Sequence, residues 1–156
     1  MIEMVVESVR VHTLSTQHVV ILKEMTRDRY LPIWIGPWEA NAIALKLQGV
    51  SPERPLTHDL FARTLTELGV TVARIIVSDL ADETFRARIV LDQGGRARDI
   101  DARPSDAIAL ALRFRGPILV EQFLDLELEL SVLVARCEDG RMATYAPAIN
   151  HHEAGV

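Results

Sequence analysis

Short stretches of alternating or β-branched apolar residues recur along the first three quarters of the chain, and this pattern predicts β-strands. Turn residues separate the stretches, as in the segment Asp92-Gln-Gly-Gly95. We expect a similar turn at residues 26–29. The predicted strands are residues 5–14, 19–24, 31–35, 70–80, 84–91, 98–101 and 117–120.

Three segments carry the signals of helices instead. Pro37 and Pro104 suit the first position of a helix, where no N–H is needed, and Gly49 and Gly116 are expected to end the helices. A further helix lies between these two, with Thr57 as its expected N-cap. Its apolar stripe is predicted to comprise Leu60, Phe61, Thr64, Leu65 and Leu68.

The two proline-led helices resemble each other. The segment NAIALKL at residues 41–47 returns as DAIALAL at residues 106–112, and each copy follows three strand-like stretches. Chance similarity between two helices rich in Ala and Leu is the alternative to a duplication. We predict two β-β-β-α halves, at about residues 1–50 and 66–116, that are related by a pseudo-two-fold axis and share one core. They should bury Ile43 and Leu47 in the first half, and Ile108 and Leu112 in the second, at equivalent places. The predicted fold is therefore α+β, a single domain with a mostly antiparallel or mixed sheet.

The pattern changes after Gly116. Apolar residues at every second position of residues 124–132, four leucines and Val132, alternate with three acidic residues and Ser131, which predicts a strand with one acidic face, although a helix over residues 121–130 stays open. Residues 138–141 are typical of a hairpin turn. The predicted organisation is a domain over residues 1–120, an acidic extension over 121–150 packed on it, and a disordered tail over 151–156.

Composition narrows the class of protein. The chain has 156 residues, of which 49% are hydrophobic and 25% charged, so we expect a globular protein and not a disordered one. Its apolar runs are shorter than the ~18 residues of a membrane span, and its N-terminus lacks the layout of a signal peptide. The single Cys137 excludes a disulfide scaffold and a cysteine zinc cluster. We therefore expect a cytoplasmic protein without a membrane partner.

The net charge of −5 is unevenly distributed. Residues 1–120 carry 15 basic and 15 acidic residues, whereas residues 121–156 carry two basic and seven acidic ones. An acidic chain is not expected to grip a phosphate backbone strongly without a local cluster of cations.

Candidate chemistry lies at the predicted helix starts. Glu39 opens the first helix and His58 and Asp59 open the middle one, while residues 101–106 surround the start of the last. Carboxylates from separate elements can hold a divalent metal, an arginine fork binds phosphate, and a histidine can transfer a proton near neutral pH. These residue types would suffice for phosphodiester hydrolysis. Each also has a structural interpretation, because acidic and hydroxyl side chains commonly cap helices.

Three segments together resemble the bifunctional nuclease domain family: LPIWIGPWEA at residues 31–40, RPLTHDL at 54–60 and IDARPSDAIALAL at 100–112. The resemblance covers about residues 1–120. It implies an α+β fold, self-association and nuclease activity on DNA and RNA. The residues that we test as catalytic are Glu39, His58, Asp59, Asp101 and Asp106. Those expected to contact nucleic acid are Arg54, Arg103 and Ser105, and the expected ligands of a divalent metal, Mg²⁺ or Mn²⁺, are Asp59, Asp101 and Asp106.

Two functional hypotheses follow. The first is a nuclease, with DNA or RNA as substrate and metal-assisted hydrolysis. The second is a non-enzymatic oligomeric interaction or small-ligand-binding module, in which the polar motifs only cap helices and lock strands to them. In either case we expect a homodimer, because Trp34 and Trp38 add apolar surface beyond the needs of one turn.

Overall fold

The computed structural model describes residues 1–11, 16–81, 84–121, 129–131, 134–136, 142–144 and 148–150. Residues 1–123 and 124–156 form two compact units. The strands of the first unit are β1 (Ile2–Val11), β2 (His18–Glu24), β3 (Tyr30–Ile35), β4 (Thr71–Ala81), β5 (Thr84–Gln93), β6 (Arg96–Ala102) and β7 (Ile118–Val120). Its helices are α1 (Pro37–Leu47), α2 (Thr57–Glu67) and α3 (Pro104–Phe114). The second unit contains β8 (Glu129–Ser131), β9 (Val134–Arg136), β10 (Met142–Thr144) and β11 (Ala148–Asn150).

The seven strands of the first unit form one mixed sheet in the order β3-β2-β1-β7-β4-β5-β6. The short strand β7 lies at its centre, antiparallel to β1 and parallel to β4. All other neighbours are antiparallel. The predicted α+β fold with a mixed sheet is therefore confirmed.

The elements follow the order that the sequence predicts: three strands and a helix, then the middle helix α2, then three strands and a helix. Each set of three strands lies on one side of β7. The shared NAIALKL and DAIALAL motifs do not start at the same place in their helices, because Ala42 is the sixth residue of α1 and Ala107 the fourth of α3. That the two halves superpose about a pseudo-two-fold axis stays a prediction.

The core lies between the helices and one face of the sheet. Helix α3 is the central element: it packs on β4 and β5 and contacts both α1 and α2. Its side chains from Ala107 to Ala111 are all buried, and α1 contributes the buried Ile43. The prediction that Leu47 is buried at an equivalent place is wrong. Leu47 is the last residue of α1 and is 41% exposed.

Helix α2 differs from its prediction in two ways. Thr57 is its first helical residue, and Leu56 occupies the N-cap position. The N-terminus is closed by Asp59, whose carboxylate accepts a hydrogen bond from the backbone N–H of Leu56 at 3.2 Å. Only Leu65 of the predicted stripe is buried, while Leu60, Phe61 and Leu68 are exposed, because α2 packs chiefly against one neighbour, α3.

One of the two helix ends predicted at glycines differs in the structure. Gly49 follows α1 with a positive φ of 70°, as expected for a glycine that ends a helix. Helix α3 ends instead with Arg115 in the left-handed conformation, at φ 55°.

The second unit contains two antiparallel pairs, β10 with β9 and β11 with β8. The described part of the predicted strand over 124–132 is β8, and the remainder of that segment lies outside the described residues, as do the predicted turn at 138–141 and the tail at 151–156. Each of the three described helices has 11 residues, fewer than the ~20 that a membrane-spanning helix needs.

Candidate active site

The starts of α1, α2 and α3 meet at one end of the helical layer, and the side chains there form a continuous network. Asp106 is at its centre. One carboxylate oxygen contacts His58 Nε2 at 2.9 Å, and the other accepts a hydrogen bond from Arg103 Nε at 2.8 Å. Arg103 also donates to Glu39 Oε1 at 2.8 Å. We call these four residues, Glu39, His58, Arg103 and Asp106, the helix-start cluster.

Local sequence explains how the cluster is held. Arg103 is the N-cap of α3, and Pro104 follows it at the first helical position, so Asp106 lies in the first turn, three residues after Arg103. Glu39 occupies the same turn of α1, after Gly36 and Pro37. A Cβ atom at position 36 would overlap the Glu39 carboxylate, so glycine is what allows this side chain to fold back over the start of the helix.

Electrostatics fix the charge states of the carboxylate and the guanidinium. Burial alone would raise the pKa of Asp106, but the hydrogen bonds from Arg103 and His58 outweigh burial and hold that pKa below its ordinary value. The same contacts to Asp106, with those to Glu39, raise the pKa of Arg103. Because Asp106 is a carboxylate that can only accept, the Nε2 of His58 carries the hydrogen that lies between them. The Nδ1 atom of His58 is then the basic nitrogen.

Asp59 lies next to His58 in sequence but faces a different partner. Its carboxylate accepts a 2.7 Å hydrogen bond from Nε of Arg113, whose side chain is 6% exposed. Burial raises the pKa of Asp59, but the hydrogen bond and charge of Arg113, the Leu56 N–H and the charge of Lys46 together outweigh burial, so the net shift is downward. Arg113 also donates to the Ala109 carbonyl at 2.8 Å. Asp59 therefore fixes a buried arginine and the start of α2 together.

A cavity of about 240 Å³ opens beside this ion pair, between the α1–α2 connection and α2. We call it the basic pocket. Its charged lining consists of Lys46, Asp59, Arg63 and Arg113. Since Asp59 balances Arg113, the exposed Lys46 and Arg63 leave the pocket with a net positive charge. Such a lining is suited to an anion.

Of the residues predicted from sequence, the structure brings Glu39, His58, Arg103 and Asp106 into direct contact, with Asp59 on the adjacent side of α2. Asp101 is exposed on β6 opposite Arg88 and makes none of these contacts. Arg54 is exposed in the α1–α2 connection and does not line the basic pocket. Ser105 is 5% exposed within the first turn of α3.

The three predicted metal ligands do not converge. Among the described residues, no three His, Cys, Asp or Glu side chains are grouped so that they could hold a metal ion. Asp59 and Asp106 are instead each paired with a guanidinium, and Asp101 lies apart. This donor set does not fit a resident Mg²⁺ or Mn²⁺ ion, so we derive no chemical step through a metal.

Sequence reasoning missed the cations of the basic pocket. Arg113 follows Asp106 by seven residues, two helical turns, so the two side chains share one face of α3 roughly 10 Å apart. This spacing was the available signal for a second polar site on the same helix. Lys46 and Arg63 had no such signal, because exposed cations on helices are common.

Comparison with known proteins identifies relatives of this chain. The family model described as the bifunctional nuclease domain matches residues 20–130. An uncharacterized protein of Mycobacterium tuberculosis is 46% identical over 120 residues, which cover 77% of this chain and 71% of that protein. Bifunctional nuclease 1 of Arabidopsis thaliana is 27% identical over 133 residues, 83% of this chain but 40% of the plant protein. Bifunctional nuclease of Oryza minuta is 24% identical over 117 residues, covering 72% of this chain and 35% of the rice protein.

Proposed function

The chain belongs to the bifunctional nuclease domain family, and on that premise we propose that it is a nuclease that hydrolyses phosphodiester bonds of DNA or RNA at the helix-start cluster. The observation that carries this proposal is the 2.9 Å contact between His58 and Asp106. It orients an imidazole with a carboxylate, beside an arginine that belongs to the same network. The names of the plant relatives support the nuclease class of activity.

His58 is the proposed general base. With Nε2–H directed at Asp106, its Nδ1 atom accepts a proton from a water molecule as the water oxygen attacks phosphorus. The P–O ester bond then breaks, and the imidazolium returns its proton to the leaving alkoxide, directly or through water, so that one water is consumed and a phosphomonoester and a hydroxyl are formed. Asp106 is a positioning residue in this scheme, because it fixes the tautomer and orientation of the imidazole.

Arg103 is the proposed phosphate ligand. Two of the five N–H donors of its guanidinium are engaged with Asp106 and Glu39, and its side chain is 65% exposed. The remaining donors can therefore meet a phosphate oxygen and stabilise the charge that develops on it. The basic pocket, about two turns along α3 from Asp106, provides Lys46 and Arg63 for a neighbouring phosphate of the same strand.

One feature favours the second hypothesis, a non-enzymatic module. Glu39, Asp59 and Asp106 are each paired with an arginine, so the same contacts would also lock three helix starts together without any reaction. The two functions differ in what His58 does. A structural lock needs the His58–Asp106 contact for stability only, whereas a nuclease needs it for turnover.

The test is a cleavage assay on purified protein with labelled single-stranded and duplex DNA and RNA. We expect His58→Gln and Asp106→Asn to lose at least ~10²-fold in rate while keeping a cooperative unfolding transition. Glu67→Gln, which removes an exposed carboxylate at the far end of α2, is the control and should cleave like the wild type. Undiminished cleavage by His58→Gln would assign the activity to a contaminant and leave the module hypothesis.

A further inference from the structure

Arg103 also lines a second opening. It is a cleft of about 440 Å³ at the start of β2, the end of β3 and the starts of β5 and α3. The residues that line it include His18, Trp34, Phe85, Arg103 and Ser105, and we call it the tryptophan cleft. Its volume is within the range of small-molecule sites, about 300–1,000 Å³.

Both tryptophans of the chain are exposed. Trp34 lines the cleft with 59% of its surface accessible, and Trp38, in the first turn of α1, is 82% accessible. Only 5% of the residues are aromatic. The buried core consists of smaller aliphatic side chains, whereas both tryptophans lie at the surface. Exposed tryptophans beside a cleft are typical of a binding surface.

Trp34 is exposed because of its strand position. In β3 the side chains of Leu31 and Ile33 are buried against the helices, and alternation turns Trp34 to the opposite face. Its neighbour across the sheet is Val19 of β2, one residue after His18. The indole therefore stands on a rigid, hydrogen-bonded strand rather than on a loop, which suits a stacking platform.

We infer that the tryptophan cleft binds an unpaired nucleobase stacked on Trp34, so that the substrate is single-stranded nucleic acid. This inference rests on the proposed nuclease function for its biological meaning. Every base has a flat π-face that an indole can stack on, whatever its sequence, and the bases of a duplex are already stacked on one another and cannot enter.

Arg103 connects the cleft to the proposed chemistry. It lines the cleft and is also hydrogen-bonded to Asp106, which contacts His58. A base held against Trp34 therefore lies in the same cleft as Arg103, whose remaining N–H donors can bind its phosphate. The basic pocket is lined by Asp59, the residue after His58, and its Lys46 and Arg63 offer cations to a neighbouring phosphate.

This charge arrangement selects nucleic acid over a second copy of the chain as the occupant. A strand needs an aromatic platform for its bases and separate cations for its phosphates, and the tryptophan cleft and the basic pocket supply one each. A second copy of the chain would supply neither unpaired bases for the platform nor a row of phosphates for the cations.

Intrinsic fluorescence tests the inference directly, because Trp34 and Trp38 are the two tryptophans of the sequence. The probes are a ten-nucleotide single-stranded DNA and the blunt duplex of the same sequence, titrated at low salt into the His58→Gln variant so that no cleavage intervenes. We expect the single strand to quench the emission and the duplex to bind at least ~10-fold more weakly.

Variants of the same background locate the site. Trp34→Ala should weaken single-strand binding by about 10-fold, as measured by anisotropy of a labelled strand, and Trp34→Phe should restore most of it. The control is Phe61→Ala, which removes an aromatic ring that is 46% exposed on α2, away from the cleft, and it should bind normally. Unchanged binding by Trp34→Ala, or equal affinity for duplex and single strand, would overturn the inference.

The outcomes separate this inference from the proposed function. Single-strand binding that quenches the tryptophans, without cleavage by the wild type, would refute the nuclease and retain the cleft. If the wild type cleaves and Trp34→Ala cleaves at the same rate, the role of the cleft is refuted and the nuclease is retained. Emission that changes with protein concentration alone, with a dimer that Trp34→Ala abolishes in sedimentation, would identify the surface as a contact between two copies and overturn the inference.

Discussion

The ion pair between Asp59 and Arg113 gives the sharpest separation of structural and catalytic roles. The change is Asp59→Asn, which keeps the shape of the side chain and removes its charge. Arg113 is 6% exposed and Asp59 24% exposed, so the guanidinium would lose its counter-ion in a largely water-excluded place. Asparagine also has one acceptor oxygen where aspartate has two. Either its NH₂ group would face one of the two donors, the Leu56 N–H or Arg113, or both donors would share the single oxygen.

The expected loss of stability follows from this burial. Breaking a fully buried ion pair costs about 3–5 kcal/mol. Asp59 is about a quarter exposed and asparagine keeps one acceptor, so we expect about 2 kcal/mol, or a decrease in Tm of roughly 4–8 °C. Thermal unfolding followed by circular dichroism measures it. Glu67→Gln on the same helix is the control and should change stability by less than ~0.5 kcal/mol.

The pH dependence provides a second reading. The pKa of Asp59 is lowered in the folded protein, so its contribution is complete above the ordinary aspartate pKa and is lost as pH falls through the lowered value. The difference in Tm between wild type and Asp59→Asn should therefore be largest at neutral pH and shrink below about pH 4. A variant with the Tm of the wild type and no cleavage would refute this structural role and make Asp59 catalytic.

Three further predictions concern the cluster, the metal and the assembly. Gly36→Ala should displace the Glu39 carboxylate from Arg103 and reduce cleavage several-fold. The loss of stability should be below ~1 kcal/mol, because the Glu39–Arg103 pair is partly exposed. Cleavage rate and Tm measured on one sample check both, and unchanged cleavage would exclude Glu39 from positioning Arg103. The metal-assisted reaction predicted from sequence requires that EDTA abolish cleavage and that Mg²⁺ or Mn²⁺ restore it, whereas cleavage in excess EDTA would agree with the dispersed positions of Asp59, Asp101 and Asp106. Sedimentation at micromolar concentration should show the predicted homodimer in the wild type and also in Trp34→Ala, because the tryptophan cleft is assigned to nucleic acid, and a monomer throughout would contradict the dimer.

Local rules sufficed to predict the elements of the fold, because strand alternation and helix-start prolines are encoded in adjacent residues. Pro37 and Pro104 begin α1 and α3 as predicted. The prediction failed where tertiary packing decides. Leu47 and the exposed apolar residues of α2 have the spacing of a buried face, but no layer covers them within the first unit's described contacts.

The candidate site shows the same division. Helix-start residues could be selected from sequence because their chemistry and position are local, and Glu39, His58, Arg103 and Asp106 do meet. Which carboxylate faces which cation could not be predicted, since it depends on how α2 packs on α3. His58 and Asp59 are adjacent in sequence, and yet they contact different partners, Asp106 and Arg113, at the two ends of α3.

Helix α3 thereby links stability to the proposed chemistry. Its N-terminal end holds Asp106 and Arg103, which accept or donate every contact of the helix-start cluster, and its C-terminal end holds Arg113, which anchors the start of α2 through Asp59. Because α2 carries His58, the Arg113–Asp59 pair sets where the imidazole stands relative to Asp106. A loss of that pair should reach catalysis through geometry as well as through unfolding. The Asp59→Asn variant should consequently lose cleavage in its folded state by less than His58→Gln does, and a rate restored at low temperature, where the variant is fully folded, would limit its role to stability.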